Sequence, residues 1–176
     1  MDRALRRRGM SVAVRRLGDG DYESLREIRL EGLRLHPECF GADLEMEETM
    51  TREQWLARMA TAATFGGFVD EALGGIAVFA RPRSKKTAHT GELGAMYVRT
   101  GFRGQGLADA LIEAIVDHAV KEVEQIKLTV NAENAHAVRL YERHGFRAIG
   151  KNPNSLRVGG RSYDELIMLR AVSTSD

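Results

Sequence analysis

Apolar positions along the chain change period several times, and each change marks an element. Ser11 to Leu17 alternates, with Val12, Val14 and Leu17 on one side, and predicts a strand that begins near Met10. Tyr22, Leu25, Ile28, Leu33 and Leu35 recur at near-helical spacing behind the turn Asp19–Asp21, and Pro37 closes that helix. Thr51 followed by Gln54 forms a capping-box pattern that starts a second helix, 52–62. Residues 65–70 and 72–80 predict two strands, with the Leu73-Gly74-Gly75 glycines favouring a tight hairpin near their junction. Residues 81–90 are polar and basic, hence a loop, and 92–98 form the next strand. Leu107, Leu111, Ile115 and Ala119 put an apolar stripe on a long helix, 104–123. Ile126, Leu128 and Val130 alternate as a strand, and 134–144 is a short helix stopped by Gly145. Residues 146–149 and 163–170 complete the strands, joined by a turn-rich stretch, 152–160.

The predicted order is β-α-α-β-β-β-α-β-α-β-β. Hairpin-connected strands, then a β-α-β unit, then a closing hairpin imply an α/β (α+β) fold: a mixed, mostly antiparallel sheet with helices on both faces. No repeat or long linker divides the 176 residues, so one domain is expected over 11–172, preceded by a basic tail, 1–10.

Composition narrows the function classes. With 26 basic and 25 acidic residues the net charge is +1, which gives no support for a nucleic-acid or membrane-surface binder. No run approaches the roughly 18 apolar residues of a membrane span, and the basic N-terminus has no apolar segment behind it. The only cysteine, Cys39, reads as a reduced thiol, and no Cys/His spacing suggests a metal. A cytoplasmic protein without a metal is the expectation.

The segment from Val98 to Asp109 carries chemistry. A strand leads through a glycine-bearing loop straight into a long helix, whose first turn offers free N–H donors and the positive end of a dipole. Gly104 and Gly106 let a diphosphate approach the backbone, and Arg103 adds charge. A Walker A loop needs a Gly-Lys-Ser/Thr ending, which is absent. A dinucleotide fingerprint needs a third small residue where Asp109 stands and an acid where Val130 is followed by Asn131.

The pattern Arg103-Gly104-Gln105-Gly106-Leu107-Ala108 resembles the coenzyme A signature of the GNAT superfamily of N-acetyltransferases. Glu92-Leu93-Gly94-Ala95-Met96-Tyr97-Val98 looks like that family's fourth strand. Residues 131–146, with Asn131, Asn134, Tyr141 and Gly145-Phe146, look like its second motif. Gly160 with Tyr163 to Leu166 and Met168 resembles its final strand. Thr100 stands where proline is frequent, and Ala108 where glycine is.

The resemblance implies acetyl-CoA as donor and direct transfer to a primary amine, with no metal and no covalent enzyme intermediate. Backbone groups of Met96, Tyr97 and Val98 would lie along the pantetheine arm. The amides of Arg103, Gly104, Gln105, Gly106, Leu107, Ala108 and Asp109 would hold the pyrophosphate, with Asn131 and Asn134 beside the cofactor. Tyr141 would act as general acid toward the leaving thiolate, and Glu92 as base, often through water. A fourth-strand N–H would supply the oxyanion donor. Without the motif, Tyr141 reads as a core aromatic and Glu92 as a solvated carboxylate. The acidic run Asp43, Glu45, Glu47, Glu48 reads as a solvated face that could also favour a cationic amine. Trp55 reads as core, and His118, His136 and His144 as structural or exposed. The acceptor stays open among small amines, amino acid derivatives, antibiotics and protein N-termini, with residues 20–62 and 151–162 expected to shape its pocket. A homodimer is common in the family. A non-catalytic CoA-binding module of the same fold is the alternative.

Overall fold

The computed structural model describes residues 11–172, so the basic tail lies outside the described residues. One seven-stranded sheet organises the chain. Strand β1 (Val12–Arg16) leads to helices α1 (Tyr22–Leu35), α2 (Leu44–Glu48) and α3 (Arg52–Thr61). Strands β2 (Ala63–Val69), β3 (Ala72–Ala80) and β4 (Thr90–Val98) follow, then α4 (Leu107–Ala119), β5 (Gln125–Asn131), α5 (Ala135–Arg143), β6 (Arg147–Val158) and β7 (Arg161–Ala171). The spatial order is β1-β2-β3-β4-β5-β7-β6, antiparallel everywhere except between β4 and β5. The mixed α+β architecture is therefore the expected one, with one short helix, α2, added between the first two predicted.

Helices cover both faces. Leu107, Leu111, Ile112 and Ile115 of α4 are buried with Ala77, Phe79, Leu93, Ile126, Leu128 and Tyr141 in the main core. Their i, i+4 spacing is the stripe that the sequence shows. On the other face Leu25 and Ile28 of α1 and Met59 of α3 pack with Ile76 and Tyr97. Ile76 and Ala77 point to opposite cores because adjacent strand residues alternate. Gly67 allows α4 to sit close: a Cβ there would lie 2.7 Å from Leu107.

Three predicted boundaries move. The β2–β3 hairpin turns at Asp70-Glu71, with φ of +47° and +69°, rather than at the glycines. The Asp70 carboxylate accepts from the Ser11 amide at 3.0 Å, a local bond that helps an aspartate hold this conformation. Gly74 and Gly75 instead lie inside β3, where a Cβ at Gly74 would collide with Phe102. Helix α4 begins at Leu107 and ends at Ala119, shorter than 104–123 at both ends. The stretch 152–160 is mostly strand. Pairing with β7 overrides its turn-forming composition, which survives as an irregularity between Asn152 and Leu156 and a turn at Gly159-Gly160.

Three acids of the run, Asp43, Glu45 and Glu48, are exposed as the sequence predicts, but Glu47 is not. Glu47 is 4% exposed and accepts from Arg29 Nε and Nη2 at 3.0 and 2.9 Å and from Arg58 Nη1 at 2.8 Å. This cluster ties α1, α2 and α3 together, and Glu48 pairs with Arg34. Burial opposes ionisation of Glu47, but hydrogen bonds from Arg29 and Arg58 outweigh it and hold the carboxyl below its ordinary range. A depressed folded pKa contributes stability above the unfolded value and loses it as pH falls through the folded one. Glu47→Gln should therefore cost about 3 kcal/mol at neutral pH, since it strands the buried Arg29. Urea midpoints of both proteins should converge as pH drops below the glutamate range; a gap constant down to pH 3 would contradict the assignment.

Candidate active site

The site begins with a defect in β4. Ile76 pairs with Tyr97 and Val78 with Gly94, so Ala95 and Met96 together oppose Ala77. Ala95 takes up the extra residue at φ +51°. Such a bulge bends its strand and ends regular pairing. On its other side β4 meets β5 only through Thr90–Gln125, Gly91–Ile126 and Glu92–Lys127. Beyond Glu92 the two strands part, and β4 from Leu93 onward has no β5 partner. The predicted Met96, Tyr97 and Val98 line this gap with their backbone. Tyr97 turns its ring to the α1 face, where its hydroxyl donates to Glu31 at 2.9 Å. That bond, with burial as the larger cause, raises the phenol above its ordinary range.

Beyond the gap lies a row of amides. The Arg103 amide bonds Thr100 O, and Ala110 is the next whose amide finds a backbone acceptor, Gly106 O at 3.0 Å. Between them the amides of Gly104 to Asp109 take none among the described residues. Gly104 and Gly106 have φ of +74° and +80°, and nothing lies within 4 Å of where their Cβ atoms would be. Successive amides in this conformation at a helix N-terminus form an anion-binding concavity. Side chains keep clear of it. Gln105 Nε2 donates back to Gly101 O at 3.0 Å. Asp109 is drawn toward α5 by His144 Nε2 at 2.8 Å and Arg143 at 3.2 Å, which hold its carboxyl below the ordinary range against the opposing effect of burial. Arg103 Nε donates to Val98 O at 3.0 Å, so its charge sits over the end of β4.

Helix α5 forms the far wall. Asn134 is its N-cap, accepting from the Ala137 amide at 3.1 Å. Asn131 is buried, with its Oδ1 on the Glu133 amide and its Nδ2 on Glu38 O. That bond pulls the turn Pro37–Cys39 onto the end of β5. Tyr141 is 6% exposed and stacks edge-on to Phe146 at 5.8 Å. Its hydroxyl has no hydrogen-bond partner among the described residues. Burial drives its phenol far above the ordinary range, with neighbouring Cys39 adding to it.

Cys39, which the sequence reads only as a reduced thiol, stands beside these groups. Asn134 Nδ2 donates to its Sγ at 3.7 Å, and the thiol donates to Glu38 at 3.7 Å. Burial and Glu38 raise the thiol above its usual range, so it stays protonated. Only tertiary folding of the α1–α2 connection brings position 39 beside 134 and 141. Glu92 lies at the mouth of the gap, half exposed and 3.0 Å from Lys127. His118 packs between Phe65 and Phe79, away from these groups, and His136 is exposed. No group of three or more metal-ligating side chains occurs, and no helix is long and apolar enough to cross a membrane, among the described residues.

The bulge, the parting of β4 from β5 and the amide row make up the candidate site of this chain. The model of the acetyltransferase (GNAT) family matches residues 24–146. The chain belongs to the GNAT family of acetyltransferases. Over most of its length this GNAT acetyltransferase is similar to the L-amino acid N-acetyltransferase AaaT of Escherichia coli K12, at 23% identity over 165 residues, 90% of this chain and 97% of the relative. It is also similar to the spermine/spermidine N(1)-acetyltransferase of Bacillus subtilis 168, at 30% identity over 61 residues, 34% of this chain and 40% of that relative. Among solved structures, a GNAT acetyltransferase from Streptococcus pneumoniae superposes with a TM-score of 0.82 at 20% identity, covering 93% of this chain and all of that one. The structure of yncA from Salmonella typhimurium with its cofactor acetyl-CoA superposes with a TM-score of 0.81 at 19% identity, covering 94% of this chain and 96% of that one.

The cap on α5 is testable by stability alone. Asn134→Ala should lower unfolding free energy by about 1 kcal/mol, and Asn134→Asp, which can cap equally well, should restore it. Equal urea midpoints for the alanine variant and the parent would show that the cap contributes nothing.

Proposed function

We propose that this GNAT acetyltransferase binds acetyl-CoA between β4 and β5 and passes the acetyl group directly to a primary amine. The observation that carries the reading is the row of unpartnered amides from Gly104 to Asp109, standing where β4 leaves the sheet. A diphosphate supplies the acceptors these donors lack. The backbone of Met96 and Val98 would take the pantetheine amides as an added strand takes its neighbour, with Arg103 releasing Val98 O to do so. Asn134 and Cys39 would border the thioester end.

The thioester supplies an activated acyl carbon; the protein's part is proton handling and orientation. The Tyr141 phenol is neutral at neutral pH, as phenols are, so it has a proton to give, and it has no acceptor of its own among the described residues. It would donate to the sulfur as thiolate charge develops. Unpartnered β4 amides near the bulge would stabilise charge on the acyl oxygen. Glu92 stands where the strands part and is open to solvent, which supports a role as base through water rather than by direct contact. Direct attack fits the single thiol being protonated and thus a poor nucleophile.

Two variants test the assignment. Gly106→Asp should abolish acetyl-CoA binding in calorimetry while leaving the circular dichroism spectrum unchanged, because a carboxylate would face the diphosphate. Unaltered affinity would remove the amide row from the site. In a thiol-release assay over an amine panel, Tyr141→Phe should lower kcat by about a hundredfold or more, in the range for general acid–base catalysis. Acetyl-CoA affinity should change little, and equal turnover would exclude Tyr141 as the acid.

A further inference from the structure

On the face of β4 opposite α4, a cavity of about 40 Å³ lies between α1, α3 and the bulge. Its lining is mostly apolar, but Trp55, Arg29, Arg58 and Thr64 place polar groups in it, and Ala95 of the bulge borders it. Trp55 is 2% exposed, and its indole Nε1 is buried without a hydrogen-bond partner. Native proteins seldom leave such a donor unpaired, so an unpaired one points to a missing acceptor. The surrounding charge has the same sign preference. Two guanidiniums face one carboxylate: Arg29 spends Nε and Nη2 on Glu47, and Arg58 spends only Nη1. Arg29 Nη1 and Arg58 Nε and Nη2 have no acceptor among the described residues. Arg58 lies 5.6 Å above the Trp55 ring and is 44% exposed along its side chain, so it reaches from cavity to solvent. Thr64, 5% exposed, makes no side-chain hydrogen bond. Ala95 lines this cavity and is also the bulged residue of β4, a few positions past Glu92, where pairing with β5 ends.

We propose that this cavity binds the carboxylate of the acceptor through Trp55 Nε1 and the spare donors of Arg58 and Arg29. The acceptor is then an amino carboxylate such as an α-amino acid. The inference rests on acetyl transfer at the β4–β5 gap. The volume suits a carboxylate or one water and excludes a bulky group. A polycation would bring like charge against two arginines, whereas a carboxylate completes the cluster and leaves the amine directed toward the bulge.

Trp55 is the only tryptophan in the chain, so fluorescence excited selectively at tryptophan reports this cavity. The CoA-loaded protein would be titrated with L-amino acids, their amides, their decarboxylated amines and spermidine. At least one amino acid should give a saturable change that its amide and amine do not. Arg58→Met should weaken that response about tenfold, the loss expected for one charge-assisted hydrogen bond. The acetyl-CoA thermal shift should stay at the parental value. No saturable response from any amino acid, an equal response from amide, amine or spermidine, or an unaffected Arg58→Met variant would overturn the proposal and leave the cavity to a buried water. Failure of the donor reading would show separately, as a missing acetyl-CoA thermal shift in the parent.

Discussion

Strands β4 and β5 share three residue pairs and then separate, and the arrangement on both sides of the sheet follows from that separation. A parallel pair of adjacent strands normally continues as long as both strands run. Here pairing with β5 stops at Glu92, and the bulge at Ala95 and Met96 follows on β4. Buried backbone donors and acceptors need partners, so a parting inside a sheet is costly unless something enters it. Part of the demand is met internally: Arg103 caps Val98 O, and Asn131 fastens the Pro37–Cys39 turn across the end of β5. The remainder stays available to a ligand.

The two faces of β4 divide the labour. On the α4 side, a dense apolar core fixes the helix so that its first amides stand in line with the parting. Leu107, the residue after the glycine turn, and Ile112 are among the most buried side chains. On the α1–α3 side the core is smaller and contains an ion cluster, Glu47 with Arg29 and Arg58. A buried ion pair of this kind fixes geometry more than it adds stability. It sets α3 at a defined distance from the sheet and leaves the Trp55 cavity between them. One strand irregularity thus stands between the rigid side proposed for the donor and the polar side proposed for the acceptor.

Much of this was legible from residue pattern. The stripe Leu107–Ala119, the alternation at Ile126–Val130 and the capping box at Thr51 reflect local periodicity and local hydrogen bonds, and those elements stand where periodicity puts them. The glycines at 104 and 106 were readable as a turn because φ near +75° favours them, and the space in front of them stays open. What the sequence hid depends on partners distant in the chain. Asn152 to Val158 is strand because β7 lies beside it, not because of its own composition. Asp70 and Glu71 turn the hairpin in place of glycines that are needed inside β3 for close packing. Glu47 looked like one of four equivalent acids until Arg29 and Arg58 closed on it. Cys39 lies 95 residues from Asn134, and no periodicity connects the two.

The central claim is that amides freed at the head of α4, beside the parting of β4 and β5, are the donor site of this GNAT acetyltransferase. Amide chemical shifts of a ¹⁵N-labelled sample titrated with CoA test it most directly. The account predicts that the resonances of Gly104 to Asp109 move together and saturate at one equivalent, with Met96 and Val98 moving alongside them, while amides of β6 and the outer face of α3 stay in place. Saturable binding with the Gly104–Asp109 resonances unmoved would contradict it.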